Sequence, residues 1–259
     1  MDKKRNSIEF KVTGRYALFA DPVTRVGGEK FSYQIPTYQA LKGITESIYW
    51  KPTFIWYVDA VRVMKKIQTE SKGIKTLQMD GIYPSQKDPS KKEAAFTDLS
   101  YYTYLRDVEY QVLAHFEWNE HRNDLEADRN ENKHHNIAKR SVEKGGRRDV
   151  FLGTRECQGY VESCVFSESK SDYDNYGELD FGVQFHGYDY PDETGRDELS
   201  VRLWRAKMKD GFIEFPKPKD CDPSLRRFIR RMTAKEFENK RNFSHIDNDF
   251  SIDDLLKEE

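Results

Sequence analysis

Apolar and polar residues alternate near the start of the chain: Ile8, Phe10 and Val12 against Glu9, Lys11 and Thr13. A period of two predicts a half-buried strand, interrupted at Gly14 and continued over residues 16–19. Asp21-Pro22 and Gly27-Gly28 then mark a loop. Thr37 can cap a helix whose apolar face is Leu41, Ile44 and Ile48, and Pro52 stops it. Residues 53–63 are β-branched and aromatic and predict a second strand, buried on both faces. Residues 71–100 are polar, with Pro84, Pro89 and a lysine run, and read as a mobile insertion. Val108, Tyr110, Val112, Ala114, Phe116 and Trp118 share one face of a third strand over 107–118. A second helix follows over 132–144, with Ala138, Ser141 and Val142 inward and Gly145-Gly146 as its stop. A short fourth strand is expected over 149–153. The order β-α-β-β-α-β is that of the ferredoxin-like unit shared by RRM domains.

The remainder is richer in strand patterns, over residues 159–166, 179–188 and 199–208. The last is joined to 212–215 by a hairpin at Asp210-Gly211. Residues 191–195 form a turn. After Pro216 the sequence becomes a basic and then acidic tail, with room for one short helix. The expected class is therefore α+β. A ferredoxin-like (RRM-like) domain spans 1–155, a smaller antiparallel β-sheet domain 156–218, and a charged tail 219–259.

Composition narrows the function classes. Charged residues are 34% of the chain and mean hydropathy is -0.89. No apolar run approaches the ~20 residues that span a bilayer. The basic start MDKKRNSIEF lacks the apolar stretch of a signal peptide. The odd set Cys157, Cys164 and Cys221 fits no zinc or redox spacing, which favours a reducing, cytoplasmic setting. The formal net charge is -2, yet residues 247–259 alone carry -5, while 133–148 and 226–241 each carry +5. Such clusters are often merely solvated faces. Together with 14% aromatic residues they also fit an RNA binder, because phosphates attract Lys and Arg and unstacked bases attract rings.

Chemistry has few candidates. The six histidines show no zinc-ligand spacing, and no nucleotide-binding glycine motif or nucleophile signature occurs, so neither metal nor cofactor is expected. Lys133-His134-His135 sits at the first turn of the second helix, where Lys and His are also ordinary surface residues. Metal-free RNA cleavage through a ribose 2′-OH needs a proton acceptor, a proton donor and a cation at the phosphorane. Imidazole can fill either proton role and lysine the last. Tyr49 at the first helix's end either packs against the sheet or faces substrate. Lys30 and Lys51 flank that helix, and Arg147 and Arg148 follow the glycine stop of the second. All four are candidate RNA contacts or plain surface.

Four segments carry a family resemblance: GRYALFADPVTRVGGEKFSYQIPTYQALKGITESIYWKP, DRNENKHH, GGRRDVFLGTRECQGYV and HGYDYPDETG. Together they resemble the CRISPR-associated Cas-five family, Dvulg subtype, of type I-C systems, from about Ile8 to about Pro218. The resemblance implies an endoribonuclease that cuts CRISPR precursor RNA at the base of the repeat hairpin, and the 2′-OH chemistry above gives the expectation of a metal-free cut with 2′,3′-cyclic phosphate and 5′-OH ends. Such an enzyme then retains the crRNA 5′ handle beside the backbone and large subunits of the type I-C surveillance complex. The implied catalytic triad is Tyr49, Lys133 and His134. Two other readings stay open: a handle-binding subunit that does not cut, and a general RRM-like RNA-binding protein.

Overall fold

The computed structural model describes residues 3–22, 29–77 and 97–234. Within them the chain forms a large sheet with few helices. The strands are β1 (Ile8–Ala17), β2 (Lys30–Phe31), β3 (Phe54–Val63), β4 (Thr69–Leu77), β5 (Thr97–Trp118), β6 (Val150–Phe151), β7 (Gln158–Ser163), β8 (Glu178–Asp189), β9 (Glu198–Lys209), β10 (Phe212–Glu214) and β11 (Arg226–Arg231). The helices are α1 (Tyr38–Ile48), α2 (Glu131–Glu143) and the single turn α3 (Pro191–Thr194). The sheet order is β11-β9-β10-β3-β5-β1-β7-β6, with β2 and β4 also on β5 and β8 on β9. The ladders are antiparallel apart from β2–β5. Among the described residues no helix is long and apolar enough to cross a membrane.

The alternation along β1 and β5 sets the core. Phe10 pairs with Val112, and Ile8 with Ala114, so their apolar faces coincide. On β3, Trp56 pairs with Phe116 and continues the same face. α1 lays Leu41, Ile44 and Ile48 on this layer, and α2 adds Ala138 and Val142. Thr37 caps α1 by accepting from the Ala40 N–H at 3.2 Å. Asn130 caps α2 by accepting from the Lys133 N–H at 3.0 Å, so α2 begins one residue earlier than its pattern predicted.

Three expectations are corrected. Part of the supposed insertion is sheet: β4 pairs with the first half of β5 from Thr69↔Leu105 to Leu77↔Thr97. The ribbon hides its nature because its stabilising contacts are polar. Tyr16 donates to Glu70 at 3.0 Å, and the Lys72 ammonium lies 3.5 Å from the Tyr16 ring centroid. Residues 78–96 of that expectation lie outside the described residues. The strand expected over 149–153 shrinks to β6, which pairs with β7, and β7 is the strand beside β1. The tail begins with two 3-10 turns and then β11, a strand paired to β9, where a short helix was expected. Its acidic end lies outside the described residues.

Candidate active site

The end of α1 and the start of α2 meet over the same end of the sheet. Pro52 follows closely, and Tyr49 leaves the helix in extended backbone (φ -160) while its N–H still donates to Thr45 O at 3.1 Å. The Trp56 indole donates to the Tyr49 carbonyl at 2.7 Å, which locks that turn. The Tyr49 hydroxyl therefore points at α2, where it lies 2.7 Å from His134 Nδ1. His134 is fully buried, and its ring is walled by Phe54, Phe116 and Trp118.

The other ring nitrogen fixes the tautomer. His134 Nε2 lies 2.8 Å from the carbonyl oxygen of Asp128. A carbonyl only accepts, so Nε2 carries the proton and donates. In the neutral ring Nδ1 then holds a lone pair, and the Tyr49 O–H donates into it. Burial pushes the Tyr49 phenol above its ordinary value; the Arg147 guanidinium opposes this and Asp128 adds to it. Arg147 stands over the Tyr49 ring at 4.7 Å.

Lys133, next to His134, is half exposed and bonded through Nζ to Asp128 Oδ1 at 2.5 Å. Asp128 also accepts from the Thr53 hydroxyl at 2.9 Å. The hydrogen bond from Lys133, aided by Thr53 and His134, holds its carboxyl below the usual range. The site is thus a buried phenol–imidazole pair with an exposed ammonium at its rim.

The structure brings together Tyr49, Lys133, His134 and Arg147. Lys51 is exposed two residues beyond Tyr49, and Arg148 is exposed with its N–H on Ser47 O, at the same end of α1. Lys30 is not part of this group: β2 lies beside Tyr102, at the opposite end of β5 from Trp118, with its ammonium 4.6 Å from the Tyr102 ring centroid. His135 turns to the N-terminal segment, 3.0 Å from Ser7 O. Sequence reasoning missed Asp128, although it begins the DRNENKHH segment and stands just before the helix cap. It also missed Thr53 and the aromatic wall. Among the described residues no group of three or more His, Cys, Asp or Glu side chains is placed to hold a metal ion.

This geometry sits inside a recognisable lineage. The family model described as CRISPR-associated protein (Cas_Cas5) matches residues 7–216. The CRISPR pre-crRNA endoribonuclease Cas5d of Mannheimia succiniciproducens is 27% identical over 235 residues, 82% of this chain and 95% of that protein. The protein of the same name from Thermus thermophilus is 26% identical over 233 residues, 82% of this chain and 92% of that one. Among solved structures, a CRISPR-associated protein is similar at 38% identity and TM-score 0.65, covering 83% of this chain and 94% of that one. The chain belongs to the Cas5 family of CRISPR-associated proteins, in its Cas5d branch.

Proposed function

We propose that this protein is a metal-independent endoribonuclease that cuts CRISPR precursor RNA at the base of the repeat hairpin, leaving 2′,3′-cyclic phosphate and 5′-OH ends. The single observation that carries the reading is the 2.7 Å contact between the Tyr49 hydroxyl and His134 Nδ1, in a chain of the Cas5d branch. A phenol raised by burial is a poor base alone. Paired with a lone-pair nitrogen it becomes a relay. The substrate 2′-OH gives its proton to the Tyr49 oxygen as the Tyr49 proton passes to His134. The Lys133 ammonium stabilises the phosphorane that follows. The 5′-oxygen leaves on the exposed side of the site, where Lys133 stands, and takes its proton from water there to end as a 5′-OH.

The strand order β3-β5-β1-β7, with α1 and α2 on one face, supports a ferredoxin-like arrangement for this part of the chain. In this reading the RNA-processing unit runs past residue 155 to include β7, the strands that follow form a second β-sheet unit, and residues 219–259 are a charged tail. Lys51, Arg147 and Arg148 grip the RNA backbone beside the cut, and Lys30 does so only if the RNA reaches the far end of β5. After cutting, the protein stays on the crRNA 5′ handle and joins the other subunits of a type I-C surveillance complex in the cytoplasm.

The test is incubation with its own repeat RNA in EDTA, wild type beside His134→Ala, with product ends identified. General acid–base catalysis is worth roughly 10²–10⁴-fold, so the variant should lose that much cleavage and still bind RNA. A strict Mg²⁺ requirement overturns the metal-free scheme. Intact RNA with unimpaired binding favours a subunit that only holds the handle.

A further inference from the structure

Phe54 touches the rings of both Tyr49 and His134, and it also lines a cavity of about 320 Å³ that the cleavage scheme leaves unused. Glu46 and Trp50 border it from the end of α1, Asn119 and Arg122 from the segment after β5, and Tyr190 from the residue before α3. Two of these groups have binding capacity left over. Trp50 is 41% exposed and stacks on no other ring among the described residues. The Glu46 carboxylate accepts no hydrogen bond among the described residues. Its nearest cation, the Lys42 ammonium, is 3.9 Å away and already bonded to Glu193. The Glu46 side chain is 31% exposed with acceptor capacity to spare, and Trp50, just past the end of α1, offers an open ring on the same cavity; together they suit a ligand with N–H donors and a flat face.

That ligand needs a flat π-face for Trp50 and N–H donors for Glu46, and it lies one aromatic ring from the Tyr49 hydroxyl. Bases stack readily on exposed aromatic side chains in single-stranded RNA. Of the four RNA bases, guanine alone offers two adjacent donors, N1–H and the N2 amino group, to a single carboxylate. We propose that this cavity takes the guanine base of an unpaired nucleotide next to the scissile phosphate, stacked on Trp50 and hydrogen-bonded through N1–H and N2–H to Glu46. The inference rests on the RNA-cleavage reading and adds its base preference.

Burial raises the Glu46 carboxyl to about 6, with Lys42 opposing and Glu193 adding to the rise. Tyr190 and Asp192 face it from α3 and its entry, and Arg122 and Asn119 from the segment after β5. A carboxylate is needed to accept both donors. The preference for guanine should therefore be full at pH 7.5 and fade as pH falls through 6.

The experiment replaces each guanine within three nucleotides of the cut by inosine, one at a time. Inosine keeps the stacking face and N1–H and lacks the N2 amino group. Single-turnover cleavage is measured on each RNA, and binding on the same RNAs with a 2′-deoxy sugar at the cut. One position should cost wild type roughly 10–100-fold, the range of a lost bidentate base contact. Glu46→Gln should lose the same factor on the parent RNA and show no further loss with inosine there. The idea is overturned if no position responds, if Glu46→Gln keeps the full inosine penalty, or if no guanine lies within that distance. The inosine series on wild type stands whatever the variant does to folding. An inosine penalty in binding without any cleavage keeps the pocket and defeats the nuclease reading. Cleavage indifferent to every inosine does the reverse.

Discussion

A hydroxyl that donates into a buried imidazole separates two roles that the sequence alone left entangled. With Nε2 committed to the Asp128 carbonyl, the proposed scheme makes His134 the proton sink and the Tyr49 oxygen the atom that meets the RNA. Tyr49→Phe keeps the ring under Arg147 and removes the relay. Its cleavage should fall by roughly 10²–10⁴-fold in a single-turnover assay while RNA affinity holds. Thermal unfolding should show a loss of only about 1 kcal/mol, because one buried nitrogen loses its donor. Retained cleavage in that variant would defeat the relay. Tyr49, Lys133 and His134 could be singled out in the sequence because long motifs surround each of them, and the structure places them together. Asp128 and Glu46 were not. Asp128 matters by reaching over a helix cap to Lys133, Thr53 and the His134 ring, and Glu46 by what it fails to touch. Neither property exists along a one-dimensional chain.

At the level of elements, the helices were read closely, since caps and apolar spacing are local signals. Thr37, Leu41, Ile44 and Ile48 act as their pattern indicated. Strands whose partners are distant and whose faces are polar were misread. β4 reads as loop because its residues, Thr69–Leu77, are Lys, Ser, Thr, Glu, Gly, Ile and Leu in no clean alternation. β11 reads as tail because four of its six residues are arginine. The connection between β6 and β7 has its own requirement. Gly153 adopts φ +96, and a Cβ there would meet the Leu18 carbonyl oxygen at 2.0 Å. That approach lets the Leu18 N–H bond to Leu152 O at 2.9 Å, closing the turn against the end of β1. Gly153→Ala should cost about 3 kcal/mol, lowering Tm by about 6–12 °C in a calorimetric scan. An unchanged Tm would show that the turn relaxes without strain.

Across the whole molecule, the sheet joins regions far apart in sequence, and a single carboxylate ties three of them. Glu117 on β5 accepts from Lys217 beyond β10 at 2.6 Å and from Lys4 ahead of β1 at 3.1 Å, with His115 at 3.2 Å. Burial alone would raise its carboxyl, but these donors outweigh it and hold it at about 2. A depressed carboxyl contributes stability above its ordinary titration range and loses it as pH falls through the folded value. Glu117→Gln should therefore lower Tm at neutral pH, and the gap to wild type should close as pH approaches 2. A gap independent of pH would mean that packing, and not charge, holds the three segments. The ladders of β1 also impose an order on protein synthesis. Of the described strands β1 comes first along the chain, yet its partners are residues 105–114 of β5 on one side and 160–163 of β7 on the other. One edge of β1 therefore stays open until residues 158–163 have followed it. A nascent chain halted before residue 158 would show an alternating apolar edge to any strand it met.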